Sequence, residues 1–228
     1  MTTPTFSVPR SVLLAAALAV ACTIKDPTLL DPDQPIVQTI LRYTAPGSDQ
    51  RNDLQIEAFS FSPRGGALDS FAVAAVLEQA NGTGTLRLSS ADPHAHPIVE
   101  QRFCEDPRDL RRLTSCFRDA LKFVETGPLA ELVDEVVFPS PERELTDESI
   151  GNLLKKLAAS GFHPCATVPM GPDAAVDQYG RLHGAEGLVV ADASIMPTVP
   201  RANTNLTSIM IGEMVGEWFR TRPQLYGL

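Results

Sequence analysis

Positive charge is in short supply in this 228-residue chain: 19 lysines and arginines face 28 acidic residues, a formal charge of −9. The one dense basic stretch, "RDLRR" at 108–112, reads as the wet face of a helix. Surfaces that hold nucleic acid cluster their basic residues, so the composition argues against a nucleic-acid partner. Cysteine is also scarce. Cys22, Cys104, Cys116 and Cys165 form no CxxC pair and show no metal-ligand spacing. Neither a disulfide framework nor a metal site is expected, and free thiols point to a reducing compartment, hence the cytoplasm. Four histidines do not change this, because His94 and His96 sit in the proline-bounded turn "ADPHAHP" and read as solvated. Repeats and low-complexity tracts are missing too.

What is present is an ordinary globular composition, 43% hydrophobic and 21% charged. The length suits one large domain or two small ones, and burial on folding at this size approaches roughly 70%. The N-terminal stretch "VPRSVLLAAALAVAC" joins a single arginine to a short apolar run ending in small residues before Cys22. Export is the alternative this raises, because the run resembles a secretory signal over 11–22. It is too short to span a membrane, and the plainer reading is a buried strand or helix.

From residue 35 the pattern becomes that of strands. "IVQTILRY" (36–43) and "LQIEAFSF" (54–61) alternate apolar with polar residues, so each has one face on a core. "SFAVAAVLEQA" (70–80) is almost continuously apolar and suits a strand covered on both faces. "NGTG" (81–84) predicts a hairpin turn feeding the strand "TLRLSS". The period then changes. Leu110, Leu113, Phe117, Leu121 and Val124 predict an amphipathic helix from Pro107 to Gly127. A second helix is predicted over 147–158, capped by Thr146, with Ile150, Leu153, Leu154 and Leu157 on its apolar face. Between them "VVFPSPEREL" reads as a surface linker. "EGLVVADAS" reads as a short buried strand ending on Asp192, and a last helix is predicted from Asn205 to Phe219, with Leu206, Ile209, Met210, Val215 and Phe219 as its apolar positions.

Three features can carry chemistry. Asn203, Asn205 and Thr207 gather at the start of the last helix, where free N–H groups and the helix dipole favour negative charge; simple capping uses the same residue types. Asp192 can accept hydrogen bonds from a ligand hydroxyl or can shape a turn. His163 can act as a general base or be a solvated loop residue. The residues alone leave these alternatives open.

Longer motifs add to this. "HPCATVPMG" from 163 and "VDQYGRLHGAEGLVVADASIMPTVPRANTNLTSIMIGE" over 176–213 closely resemble the C-terminal region of the glucose–methanol–choline (GMC) flavin oxidoreductases, in the wording of their choline dehydrogenase-like branch. The likeness is dense over 160–220 and looser over 35–140. It implies an α+β fold, a mostly antiparallel or mixed sheet flanked by helices, followed by the strand–loop–helix that completes an FAD-binding domain. The division expected is an atypical segment over 1–34, a substrate-domain-like part over 35–160 and a catalytic, flavin-contacting part over 161–228.

The resemblance also implies FAD as cofactor and a small-molecule alcohol as substrate. His163 takes the place of the family's proton acceptor and Asn203 that of the group orienting the hydroxyl. Asp192 and Ala193 match the contact to the ribityl chain, and Asn205 and Thr207 lie where the helix meets the pyrimidine edge. Ala166 stands where glycine is usual, and Cys165 reads as a packed thiol. The Gly-rich βαβ fingerprint that opens such proteins is not found here, since "GTGTLR" at 82 has the wrong spacing. A missing N-terminal FAD domain, supplied by a complementary chain, is therefore expected, with the electron acceptor unnamed. A non-catalytic stand-alone binding domain and a truncated gene product remain the alternatives.

Overall fold

A computed structural model describes residues 15–30, 33, 35–60 and 70–228. The sequence-based readings on residues 1–14 lie outside this range. Among the described residues there are seven strands: β1 (Ala15–Ile24), β2 (Val37–Tyr43), β3 (Leu54–Phe59), β4 (Ser70–Leu77), β5 (Thr85–Arg87), β6 (Ile98–Glu100) and β7 (Val133–Phe138). Four α-helices join them: α1 (Pro107–Glu125), α2 (Gly127–Leu132), α3 (Asp147–Leu157) and α4 (Asn205–Thr221). The chain divides into two compact units, Ala15–Gln79 with Cys104–Ala159, and Ala80–Phe103 with Ser160–Leu228. The boundary therefore departs from a linear cut: residues 80–103 group with the C-terminal part.

The first unit is built on a five-stranded sheet, order β2-β3-β4-β1-β7, antiparallel at every pairing. The apolar run at the N-terminus is thus a strand, inserted between β4 and β7. Alternation sends Leu18, Val20, Cys22 and Ile24 to one face, in register with Leu54, Ile56, Val73, Ala75 and Leu77, and all of these are buried. Helix α1 covers that face with Leu113, Cys116, Phe117, Ala120 and Val124, each 1% exposed or less. Its 3.6-residue stripe is the reason the sequence predicts it within two residues. Asp106 caps its start by accepting the Arg108 N–H. Helix α3 packs on α1 through Ile150, Leu153 and Leu154, with Thr146 as its cap, as its sequence requires. β4 is buried along both faces, as its unbroken apolar run predicts.

Two charged features lie inside this unit. Arg112 bridges Asp53 (2.8 Å) and Asp109 (2.7 Å), and donates to Gln50 Oε1 and the Gln79 carbonyl. Asp53 also accepts the Ala45 N–H and the Ser48 hydroxyl, so an arginine and two carboxylates are almost wholly buried yet bonded. Glu78, at the end of β4, is buried with Oε2 unpartnered.

Burial pushes the Glu78 carboxyl up to about 7; Arg42 pulls it down and Glu57 pushes it further up. The folded state therefore holds this proton longer than the unfolded chain does. Its stabilising effect is full below the unfolded value of 4.5, fades as pH rises, and is lost above about 7. Glu78→Gln keeps the shape and removes the titration. The variant is expected to be more stable than the wild type at pH 8, by about 2–3 kcal/mol, and to lose this advantage towards pH 5. Urea denaturation of both proteins at the two pH values checks this; parallel pH profiles would refute it.

Several expectations need correction. "NGTG" is not a hairpin turn between neighbouring strands, because β4 and β5 belong to different sheets. Instead Gly84 lies flat against β6, where a Cβ would fall 2.3 Å from the Glu100 carbonyl oxygen. The linker "VVFPSPEREL" begins as the end of β7, an edge strand that pairs with β1, and α2 precedes it. Short segments with charges at 134 and 135 give no periodic signal; pairing with β1 makes the strand.

In the second unit β5 and β6 form a two-stranded sheet, and much of 160–204 runs as tight turns with isolated bridges. "EGLVVADAS" is no buried strand: Leu188 is half exposed, Val189 makes one bridge to Arg181, and the stretch ends in a 3-10 turn over Ala193–Ile195. Helix α4 reaches Thr221, two residues beyond the expected end. Its buried positions are Ile211 and Val215, whereas Leu206, Ile209, Met210 and Phe219 are exposed. The far end is fixed by aromatic contacts, Tyr179 edge-on to Trp218 at 5.3 Å and Phe219 stacked on Tyr226 at 4.1 Å. Arg181 bridges Asp177 and donates to the Leu225 carbonyl, tying the C-terminal turn to the loop. Among the described residues no helix is long and apolar enough to cross a membrane.

Candidate functional site

The site lies within the second unit, where the two motif-rich stretches meet. The chain enters it through consecutive left-handed residues, Gly161 (φ +59°) and Phe162 (φ +65°), closed by the His163 N–H donating to the Ser160 carbonyl. Pro164 follows and stiffens the exit. Residues 166–170 then run beside the 3-10 turn at 193–195. The N–H groups of Ala166, Val168 and Met170 donate in turn to the carbonyls of Ala193, Ser194 and Ile195, at 2.8–3.1 Å. Ala166 is fully buried at φ +61°, the conformation glycine favours, so the alanine here carries backbone strain of order 1 kcal/mol. Cys165 beside it is buried, and burial pushes its thiol up to about 11, which suits a packed side chain rather than a nucleophile.

This stitching presents His163, half-buried, to the start of α4. Its Nε2 lies 3.0 Å from the Asn203 side-chain amide. Its Nδ1 lies 3.1 Å from the Thr204 hydroxyl and 3.4 Å from the Thr204 N–H. The structure thus brings His163 and Asn203 together, forty residues apart in sequence. Thr204 was missed by sequence reasoning: a threonine at a helix start reads as an ordinary cap, and nothing in the sequence shows that its side chain leaves that task.

The remaining predicted residues fall around this pair. Asp192 is exposed and accepts the Ser194 N–H at 2.7 Å, so one oxygen shapes the turn while the other has no partner among the described residues. Ala193 offers its carbonyl to Ala166. Asn205 is the first residue of α4 and Thr207 the third. The first bond of the i→i−4 ladder is Ser208 N–H to Thr204 O at 2.9 Å, so the N–H groups of Asn205, Leu206 and Thr207 form the helix's donor-rich first turn. No side chain caps it. Such an end favours negative charge on whatever it meets. Among the described residues no group of three or more His, Cys, Asp or Glu side chains is placed to hold a metal ion.

A histidine against an amide, beside a helix start rich in free donors, lies inside a stretch that known proteins share. The family model for GMC oxidoreductase matches residues 80–212. The chain belongs to the GMC oxidoreductase family. Oxygen-dependent choline dehydrogenase of Escherichia coli O127:H6 is 36% identical over 144 residues, which cover 62% of this chain and 26% of that protein. The Cronobacter sakazakii protein of the same description is 35% identical over the same coverage. This GMC chain therefore spans about a quarter of the length of those relatives. Among solved structures, pyridoxine 4-oxidase from Mesorbium loti aligns with a TM-score of 0.78 at 17% identity, covering 91% of this chain and 43% of the oxidase. The R554K variant of Aspergillus oryzae formate oxidase aligns at 0.81 and 16% identity, covering 96% and 48%. These likenesses show that the α+β architecture is shared with those two oxidases.

Proposed function

We propose that this GMC chain is the C-terminal, substrate-binding and catalytic part of an FAD-dependent oxidoreductase acting on CH–OH groups. The observation that carries this reading is the 3.0 Å approach of Asn203 to His163 Nε2 at the head of α4. His163 accepts the hydroxyl proton of the alcohol. Asn203 orients the oxygen through its amide, which cannot itself serve as a base near neutral pH. Bound FAD supplies the acceptor for the hydride leaving the carbinol carbon.

The residues fit part of that cofactor. The uncapped first turn of α4, with Asn205 and Thr207, suits a polar ring edge that gains negative charge. The free oxygen of Asp192, with Ala193 next to it, suits a hydroxylated chain. Nothing in this chain has the Gly-rich turn that holds a pyrophosphate. A complementary FAD-domain polypeptide is the partner proposed. The exposed apolar side chains along α4, Leu206, Ile209, Met210 and Met214, form the kind of surface a further domain covers. The relatives named above suggest choline as the first alcohol to try.

Co-expression with the N-terminal FAD domain of a choline dehydrogenase is the test. The expected outcome is a yellow complex that oxidises choline or a related small alcohol with an artificial electron acceptor. A complex that holds flavin in full yet oxidises no alcohol would remove the catalytic reading and leave a binding domain.

A further inference from the structure

We propose that Thr204 is a positioning residue for His163, its hydroxyl holding the imidazole with hydrogen on Nδ1 so that the Nε2 lone pair faces the Asn203 side. The inference rests on His163 being the proton acceptor. Thr204 is 5% exposed and opens α4, where a threonine ordinarily turns its hydroxyl onto the N–H two or three residues ahead. Here it makes no such bond and lies 3.1 Å from His163 Nδ1. Its backbone is already helical (φ −77°, ψ −13°) rather than in the extended conformation of a side-chain cap, so the hydroxyl is left for the imidazole.

A neutral imidazole has one donor nitrogen and one acceptor. With hydrogen on Nδ1, the ring donates to the Thr204 oxygen while Nε2 accepts from the Asn203 amide, and both short contacts are satisfied. The Thr204 backbone N–H can only donate and would favour the opposite tautomer, but at 3.4 Å its contact to Nδ1 is the longest of the three. The hydroxyl is the group that can accept from Nδ1–H, since the Thr204 carbonyl is engaged by the Ser208 N–H and hydroxyl. It also keeps an acceptor against Nδ1–H once Nε2 has taken a proton, when both ring nitrogens become donors. Because residues 203 and 204 are consecutive, one helix start grips the ring at both nitrogens and fixes its rotation.

The test uses the full chain without flavin, labelled with 15N-histidine, with the His163 signals assigned by their loss in His163→Gln. Long-range proton–nitrogen correlation is expected to show Nδ1 protonated and Nε2 bare. Thr204→Val, close in shape but without the hydroxyl, is expected to shift the population to the Nε2–H form; Thr204→Ser is expected to keep the wild-type pattern. A wild type already in the Nε2–H form, or a Thr204→Val variant with an unchanged pattern, would overturn the proposal. If the valine variant does not fold, the wild-type and serine spectra still decide. In the reconstituted enzyme Thr204→Val is expected to lower kcat by roughly ten- to a hundredfold with KM for the alcohol unchanged, as misplacement of a catalytic group does, and Thr204→Ser to restore most of it. The tautomer reading needs neither flavin nor alcohol. Should His163→Ala leave turnover intact while the tautomer still follows Thr204, the proposed function falls and the positioning stands.

Discussion

His163→Ala in the flavin-loaded, two-part enzyme is expected to reduce kcat by roughly 10²–10⁴-fold, the range that a positioned base contributes. An alcohol gives up its hydroxyl proton reluctantly near neutral pH, and hydride leaves the carbon easily only as that proton departs. His163 presents Nε2 beside the Asn203 amide, which is where a hydroxyl could be oriented and deprotonated by neighbouring groups. Proton acceptance belongs to the transition state, so kcat and kcat/KM should fall together. Flavin content should not change, because the side chain sits on the loop at 161–171 rather than in the first turn of α4. Rapid-mixing measurement of flavin bleaching by the alcohol is the direct readout. Normal bleaching by the variant would end the proton-acceptor role.

The second large effect concerns stability. Arg112→Met is expected to destabilise the sheet unit by about 3–5 kcal/mol, because it removes the cation that two buried carboxylates share. Asp53 is fully buried and Asp109 nearly so, and Arg112 neutralises both. Burial alone would push the Asp53 carboxyl up, yet its bonds to Ser48, Ala45 and Arg112 hold it below the usual carboxylate value. A carboxylate held low stabilises the fold above its unfolded pKa and loses that effect as pH falls through the folded value. With Arg112 gone the sign weakens or reverses, so the variant should be least impaired in acid. Adding Asp53→Asn should recover part of the loss, a coupling that a double-mutant cycle in urea measures. Equal stability of Arg112→Met and wild type near neutral pH would show that water or a rearranged side chain takes over.

The parts of the fold that the sequence predicts well are those whose signal is local. α1 and α3 follow from stripes of leucine, phenylalanine and isoleucine at helical spacing, bounded by Pro107 and Thr146. β3 and β4 follow from alternation or an unbroken apolar run; β2 forms as a strand, but it lies at the sheet edge with Ile40 and Leu41 exposed, so the core-facing side its alternation implies is not seen. α4 shows the limit of that approach. Its composition reads as a helix, but of the residues counted as its buried face only Val215 is buried; Leu206, Ile209, Met210 and Phe219 are exposed, and the other buried position is Ile211. The helix has apolar residues on more than one side, so periodicity could not choose between them.

The site divides in the same way. His163, Asn203, Asp192, Asn205 and Thr207 were legible as candidates because long motifs carried them. Their meeting was not. Thr204 had no signal at all, since its type suits the cap that it does not make.

By itself, the sequence determined β2 to β4, α1 and α3 in the first unit, the acidic charge balance, and the family likeness along 160–220. Local sterics and burial periods are written into neighbouring residues and need no further information. Only the tertiary structure decided that an N-terminal run becomes a central strand, that residues 80–103 leave the sheet they follow, and that a hydroxyl at the head of α4 turns to a histidine forty-one residues earlier. Each depends on which distant segment satisfies a backbone or side-chain hydrogen bond, and that choice is made by the whole fold.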